Sequence, residues 1–561
     1  MHPRRHTGCG ERCSPGEVST PGCGRHPRPV RTVTTFRVLA CGERALLVEL
    51  GDLDEVLALD AKVRTHVFDS DLQIEDVVPA AQTLLVATRS PKTLAAVRHL
   101  VERLVTTLSV PAPGDTAATA APMIDIGVHY DGPDLEEVAR LVGLSSAEVI
   151  AAHTGTPWRV GFGGFAPGFA YLVDGDPRLD VPRRDIPRTS VPAGAVGLAG
   201  SFSGIYPRSS PGGWQILGHT TESLWDINRT PPALLQPGAT VRFFDAGPAI
   251  RTERPGATTE VDLAEVDELD PERSVTVLAI GALTLIEDSG RSGWKHVGVG
   301  RAGAADRASA AMANRLVGNE PEAALFEVVM GGLKLRLNAP SVVATTGALA
   351  PLTVNGKVAA HGQRLYLSPG DELALGTPLA GLRTYVAISG GLTVPPILGS
   401  RSADTLAKIG TGKVTVGACL PLGPTPPHPE VRGDHPIVTP SSSELTLEVI
   451  PGPRADWFGG TEQLLASTWH VSAQCDRIGV RLEGLPLSRA QGFEGVELPS
   501  EGVMRGSIQI PPSGQPVVFG SDHPVTGGYP VIGVLTETAS DRLAQARPGQ
   551  VVRFVLKRRT P

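Results

Sequence analysis

Between Trp158 and Phe244, glycine and proline recur so closely that no helical period survives. What remains is a series of short apolar runs separated by turns, the pattern of a β-barrel or sandwich. The same texture returns from Val275 onward. Over the whole chain 65 Gly and 50 Pro stand among 561 residues, about a fifth against a usual share near 12%. No collagen period accompanies them, and 41% of residues are hydrophobic, so the excess marks turns in a folded protein rather than disorder. Aromatics make up only 4%, which leaves the core to Val, Leu, Ile and Ala.

Length alone predicts three or four folding units at roughly 150 residues each. Residues 1–35 hold six Arg, three His and five Pro with no hydrophobic period, and read as a disordered or misassigned tail. Cys9, Cys13, Cys23 and His26 fall there at irregular spacings that suit a zinc knuckle poorly. A small α/β domain is expected over 36–110, with strands at Phe36–Leu39, Ala45–Leu50 and Thr83–Ala87 and helical runs near 52–66 and 91–108. After a Pro/Ala/Thr linker, a barrel domain is expected over 121–245. Two short helices open it, one signalled by Asp134 with Glu137 and one by the Ser145/Glu148 capping box. Residues 246–272 carry eight acidic side chains and read as a linker. A second β-rich unit follows over 273–557, split into halves near 424–443. Its clearest helix runs from Asp306, the N-cap, to Val317, with Gly318 as the stop. The fold class expected is therefore mainly β with α+β parts, with barrels in tandem behind a small α/β domain.

The net charge of −7 gives no electrostatic footprint for nucleic acid. The longest apolar stretch, Val275 to Ile286, is too short to span a bilayer. Only Cys41, Cys419 and Cys475 fall outside the first 35 residues. That is no disulfide framework, and with no apolar signal core at the start it points to the cytoplasm.

Several stretches carry chemistry. Gly161–Tyr171 is dense in glycine, so Gly163, Gly164 and Gly168 would leave amide N–H groups free for an anion, or else form a tight barrel corner. Arg183, Arg184 and Arg188 on a proline-framed loop suit a carboxylate or phosphate, or else form a solvated charged loop. His153, just before the Gly-rich strand, is a candidate for moving a proton or a packed structural side chain. In the second unit Asp476, Glu501 and Asp522 are candidates for a general base or metal ligand beside glycine turns. Asp306, Asn314 and Tyr529, with Tyr206 of the first barrel, are candidates for binding. Gly298-Val-Gly300-Arg-Ala-Gly303 matches a dinucleotide fingerprint only by letter, since no buried strand precedes it and the helix starts later.

These stretches together resemble a known pair of proteins. Phe165–Leu172, Pro192–Gly197, Gly204-Ile-Tyr-Pro207 and Ser210-Pro-Gly-Gly-Trp214 resemble the B-type component of prokaryotic 5-oxoprolinase, also called the KipI or allophanate hydrolase subunit 1 type. Gly303-Ala-Ala-Asp306, Ala313–Asn319, Leu398–Arg401, Asp476–Gly479, Ser500–Val503, Gln509–Pro512 and Thr526–Pro530 resemble the C-type component, the KipA or allophanate hydrolase subunit 2 type. The resemblance implies cyclophilin-like barrels in a fused B–C chain. The implied activity is ATP-dependent opening of 5-oxoproline to glutamate, with ATP and Mg²⁺ and a separate A-type subunit. Under that activity the protein would hold phosphates and a carboxylate substrate, and the residues' chemistry assigns Arg183, Arg184, Arg188 and the Gly161–Gly168 amides to anion binding, Asp476, Glu501 or Asp522 to base or metal ligand, and His153 to moving a proton or orienting a group. A homo-oligomer is also expected. Two alternatives stay open: a carboxyltransferase component of a biotin-dependent urea carboxylase-like system, and a regulatory module that binds a kinase. The chain departs from the family pattern at Gly161–Phe165, at Phe202-Ser203 where Gln-Thr is usual, and at His523-Pro-Val before Thr526.

Overall fold

A computed structural model describes residues 30–33, 35–111, 122–248, 259–261, 273–426, 440–441 and 443–558. Four units follow in chain order, and the first is closed by the last.

The N-terminal unit is a four-stranded antiparallel sheet, ordered Arg37–Ala40, Ala45–Glu49, Thr83–Thr88, Ile74–Pro79. Asp52 caps the helix Leu53–Arg64 by accepting from the Glu55 amide. With the helix Leu94–Thr106, it buries Leu46, Val48, Leu84 and Val86 on one face of the sheet. The alternate residues Ala45, Leu47, Leu85 and Ala87 are buried on the other face, against Val503, Met504, Val531 and Val534. Two covered faces explain why these strands read as unbroken apolar runs rather than alternating ones. Each such Leu or Val, fully buried, contributes roughly 1.5–3 kcal/mol. The unit also begins earlier than expected. Val30–Thr32 pairs antiparallel with Ser109–Pro111, and Arg31 bonds Asp52 at 2.5 Å and Glu55 at 2.7 Å. The expected tail is thus corrected for Val30–Thr32, which belong to this unit. The Cys9–His26 spacing lies outside the described residues.

The first barrel has seven strands, from Gln215–His219 round to Thr240–Asp245 and Met123–Val128. Met123–Val128 lies parallel to Thr240–Asp245, and reciprocal bonds between His129 and His219 at 2.8 and 2.9 Å close the ring. The helices Leu135–Val142 and Ser146–Gly155 pack on it through Val138, Ala139, Val149 and Ala152, and the second starts at the expected capping box.

Residues 273–422 form two facing sheets, of six and five strands, around Val275, Phe326, Leu335, Val343 and Val386. The helix Arg307–Leu316 lies outside the five-stranded sheet, with Asp306 as its cap. Within the expected linker, Thr259–Val261 is a strand parallel to Ile409–Thr411, which corrects that reading for those residues. The rest of the linker beyond residue 248 lies outside the described residues.

The last unit is a closed seven-stranded barrel, and it repeats the wiring of the first. Its first strand, Leu445–Pro451, is again parallel to its last, Val551–Leu556. In both barrels the strand after the helices opens on a buried Trp, and each indole N–H donates to the carbonyl five residues earlier at 3.1 Å. The pairs are Trp158 to His153 and Trp469 to Leu464. The expectation of tandem barrels therefore rests on matched strand order and matched hydrogen bonds. Among the described residues no helix is long and apolar enough to cross a membrane.

Candidate functional site at the junction of the units

The Gly-rich strand Trp158–Gly163 and the turn after it run against the turn Lys295–Val297 of the third unit. A Cβ on Gly163 would stand 2.4 Å from the His296 carbonyl oxygen, and one on Gly298 would stand 2.1 Å from that of Ala166. Glycine is required here because two backbones touch. The amides expected to be free are engaged: Gly164 N–H donates to Phe169 at 2.8 Å and Gly168 N–H to Val297 at 3.1 Å. The run is therefore the interface between units rather than an open anion cradle. Beside it, Phe162, Phe165, Phe169, Tyr171, Phe202, Tyr206 and Trp214 pack at ring separations of 4.5–6.5 Å. Seven of 25 aromatic residues are concentrated at this end of the barrel. Next to them Trp225 and Ala233 of the first barrel meet Val297, Val299, Ala407 and Ile409 of the third unit.

Polar groups that sequence reasoning missed line this seam. Asp404 is buried, its Oδ1 accepts from the Leu406 and Ala407 amides, and no hydrogen bond reaches its Oδ2 among the described residues. Burial, with the nearby charge of Asp522, pushes its carboxyl up to about 7. Gly300 leaves a slot between this Oδ2 and the His523 carbonyl, with a Cβ position 3.6 and 3.3 Å from them. Arg291 is buried and gives one N–H to Ser402, leaving Nε and Nη1 without partners. His523, stacked on Phe519 at 5.7 Å, is held neutral because burial drives its ring down to about 3. Further along, burial depresses the amine of Lys295, whose contact is the Met504 sulfur at 3.9 Å. Asp76 of the first unit accepts from the Gly293 amide at 3.0 Å, and burial raises it to about 6. A carboxyl near 7 is half ionised at neutral pH, the condition under which one group both takes and returns a proton. Shifted groups gathered from several units mark this seam as the candidate site.

The candidates chosen from sequence lie nearby, but most are engaged in holding the fold. Asp522 gives both oxygens to Arg477 at 2.9 Å and its Oδ2 also to the Thr405 amide and hydroxyl, so the carboxylate is committed to joining the last barrel to the third unit. Arg477 reaches on to Glu327 at 2.5 Å and Glu287 at 3.3 Å, pinning the last barrel to the third unit. Glu501 is locked to Arg454, which also holds Glu49 of the first unit at 2.6 Å. Asp476 is exposed and accepts from the Ile478 and Gly479 amides, a turn cap. It lines a cavity of about 30 Å³ with Arg383, Arg477 and Arg505, room for a water or two. Asp306 accepts from Ser309 and Gln545, and Asn314 donates to Ala323 at 2.7 Å, so both order a helix and its exit. Tyr529 is 45% exposed. These carboxylates do not fit a Mg²⁺ site, and among the described residues no group of three or more ligating side chains could hold a metal.

In the first barrel, Arg184 and Arg188 both bond Oδ1 of buried Asp134, at 2.8 and 2.7 Å, while its Oδ2 accepts from the Ile216 amide. Asp134 therefore holds the loop instead of capping its helix, and each arginine forms a structural ion pair with it. Arg183 is exposed and Tyr206 buried. His153 is fully buried, stacked on Phe243 at 4.3 Å, and bonded to Tyr130 and to Ser203. Burial drives its ring down to about 3, so it braces the barrel as a neutral group.

Two family models cover this architecture: carboxyltransferase domain, subdomain C and D, over residues 36–235, and carboxyltransferase domain, subdomain A and B, over residues 297–556. The chain is 33% identical over 285 residues to the 5-oxoprolinase C component of Escherichia coli K12, covering 50% of this chain and 90% of that protein. The chain belongs to the carboxyltransferase-domain family. It is also 40% identical over 173 residues to the 5-oxoprolinase B component of Escherichia coli O157:H7, 30% of this chain and 77% of that protein. Within the family it is thus a fused B–C member. The urea amidolyase of Lachancea kluyveri matches at 32% over 308 residues, 50% of this chain but 17% of that protein. The crystal structure of TTHA0988 superposes with a TM-score of 0.79 at 33% identity, covering 91% of this chain and all of that one.

Proposed function

We propose that this chain is the fused B–C component of an ATP-dependent 5-oxoproline hydrolase that works with a separate A-type subunit. The observation that carries the reading is coverage: one chain spans most of the C and of the B component of 5-oxoprolinase, but under a fifth of urea amidolyase. A lactam is an unreactive amide. Transfer of phosphate from ATP to its oxygen activates the ring carbon, water adds there, the ring C–N bond breaks, and a second water releases phosphate with glutamate. Asp404 is the group we assign to take the proton of the attacking water, since its Oδ2 is unpartnered among the described residues and its carboxyl stands near 7. ATP and Mg²⁺ belong to the assembled enzyme.

The test mixes the purified chain with a matching A-type subunit, ATP, Mg²⁺ and 5-oxoproline and measures glutamate. Little product from the chain alone and steady product from the mixture is the expected result. No product from the mixture overturns the reading. The names of the two matching models favour one second reading, a carboxyltransferase component. Biotin-dependent carboxylation with partner chains, in place of hydrolysis, would establish it.

A further inference from the structure

Arg208 lies between the Gly204–Pro207 and Ser210–Trp214 stretches of the first barrel, and its guanidinium has no ion pair or hydrogen bond among the described residues. Its Nε is buried without a partner. Arg184 and Arg188 of the same barrel, by contrast, are both paired with Asp134. The carboxylate whose charge is felt at Arg208 is Asp404, across the seam, and burial of Arg208 outweighs it. Arg291, fully buried with two unpartnered nitrogens, also acts on Asp404. Arg208 and Arg291 thus keep nitrogens without partners, with Asp404 as the carboxyl whose charge reaches both. Arg208 is partly exposed, so its fork is reachable from solvent while its buried Nε still lacks a partner, and a bound carboxylate matches a guanidinium fork with two parallel hydrogen bonds.

We propose that Arg208 binds the carboxylate of the small-molecule substrate, holding the reacting carbon beside Asp404. This rests on the 5-oxoproline reading for the identity of the substrate, but not for the chemistry of the site. Nucleotide binding is the competing outcome, read by Mg·ATP in the same titrations.

Calorimetry on the full chain separates the outcomes. The ligands are 5-oxoproline, 2-pyrrolidinone (the same lactam without the carboxylate) and Mg·ATP, each titrated into wild type, Arg208→Lys and Arg208→Gln. Arg208→Gln is expected to weaken 5-oxoproline about ten- to a hundredfold, with Arg208→Lys between, while 2-pyrrolidinone binds as weakly to all three. Unchanged 5-oxoproline affinity, equal losses for both lactams, or a loss confined to Mg·ATP would overturn the proposal. If 5-oxoproline does not bind wild type, phenylglyoxal labelling of Arg208 read by mass spectrometry decides. Protection by glutamate or malonate but not by inorganic phosphate keeps the carboxylate site and discards the oxoproline. Labelling that no carboxylate slows discards the site itself.

Discussion

A single carboxyl carries the sharpest consequence at the residue scale. Asp404 titrates near 7 in the folded chain against an ordinary value of 3.8. The folded state therefore holds its proton more tightly, and this contribution to stability is full below about pH 4 and lost as pH rises to about 7. Asp404→Asn keeps an oxygen for the Leu406 and Ala407 amides and removes the charge. We expect its melting temperature to match wild type near pH 4 and to exceed it by several degrees at pH 8, while glutamate formation with an A-type subunit is lost at both. Equal melting at pH 8 would place the carboxyl's titration in the ordinary range. Residues of this kind are the least legible in sequence. Asp522 and Glu501 sit in recognisable motifs, yet their arginine partners lie 45 and 47 residues away, so nothing local shows that their oxygens are taken. Arg208 and Asp404 differ from solvated loop charges only through what folding places around them. The one available signal is that Arg208 interrupts two motif pieces.

Elements with local causes are legible. Ser145 with Glu148 closes its capping box, Asp306 caps its helix, and Gly318 ends it in a left-handed turn. The strand Val30–Thr32 escapes notice because three residues carry no period, and its register is set by Ser109–Pro111, some 80 positions on. A chain starting at Val30 should melt as the full chain does. One starting at Phe36 loses the strand pairing and both bonds of Arg31, and should melt a few degrees lower, since part-exposed ion pairs contribute about 0–1 kcal/mol each and the strand adds to that. Identical melts would return these residues to the tail. The Gly-rich run shows a different limit. Its glycines signal a close approach, but sequence does not say whether a ligand or the His296 backbone makes it.

For the whole molecule the decisive contacts lie between units. Arg477 joins Asp522 to Glu327 and Glu287, Arg454 joins Glu501 to Glu49, and Arg44 of the first unit bonds Glu537 of the last at 3.1 Å. Removing one member of such a buried set costs about 3–5 kcal/mol, because charges remain without partners. We therefore expect residues 30–248 and 273–558, made as two separate chains, to copurify as one complex that survives size exclusion. Arg477→Ala should lower the denaturation midpoint in urea. Separate elution of the two pieces would show that the covalent link holds them together.

The two-faced sheet of the first unit also sets a timetable. Its helices leave the ribosome between its strands or directly after them, but the cover for Leu47, Leu85 and Ala87 includes Val531 and Val534, more than 400 residues later in synthesis. At 5–20 residues per second, that face waits roughly 20–90 s for its partner. The fusion turns the meeting of two separate proteins into a delay within one nascent chain, during which an apolar sheet stands bare and a chaperone has its longest opportunity to hold it.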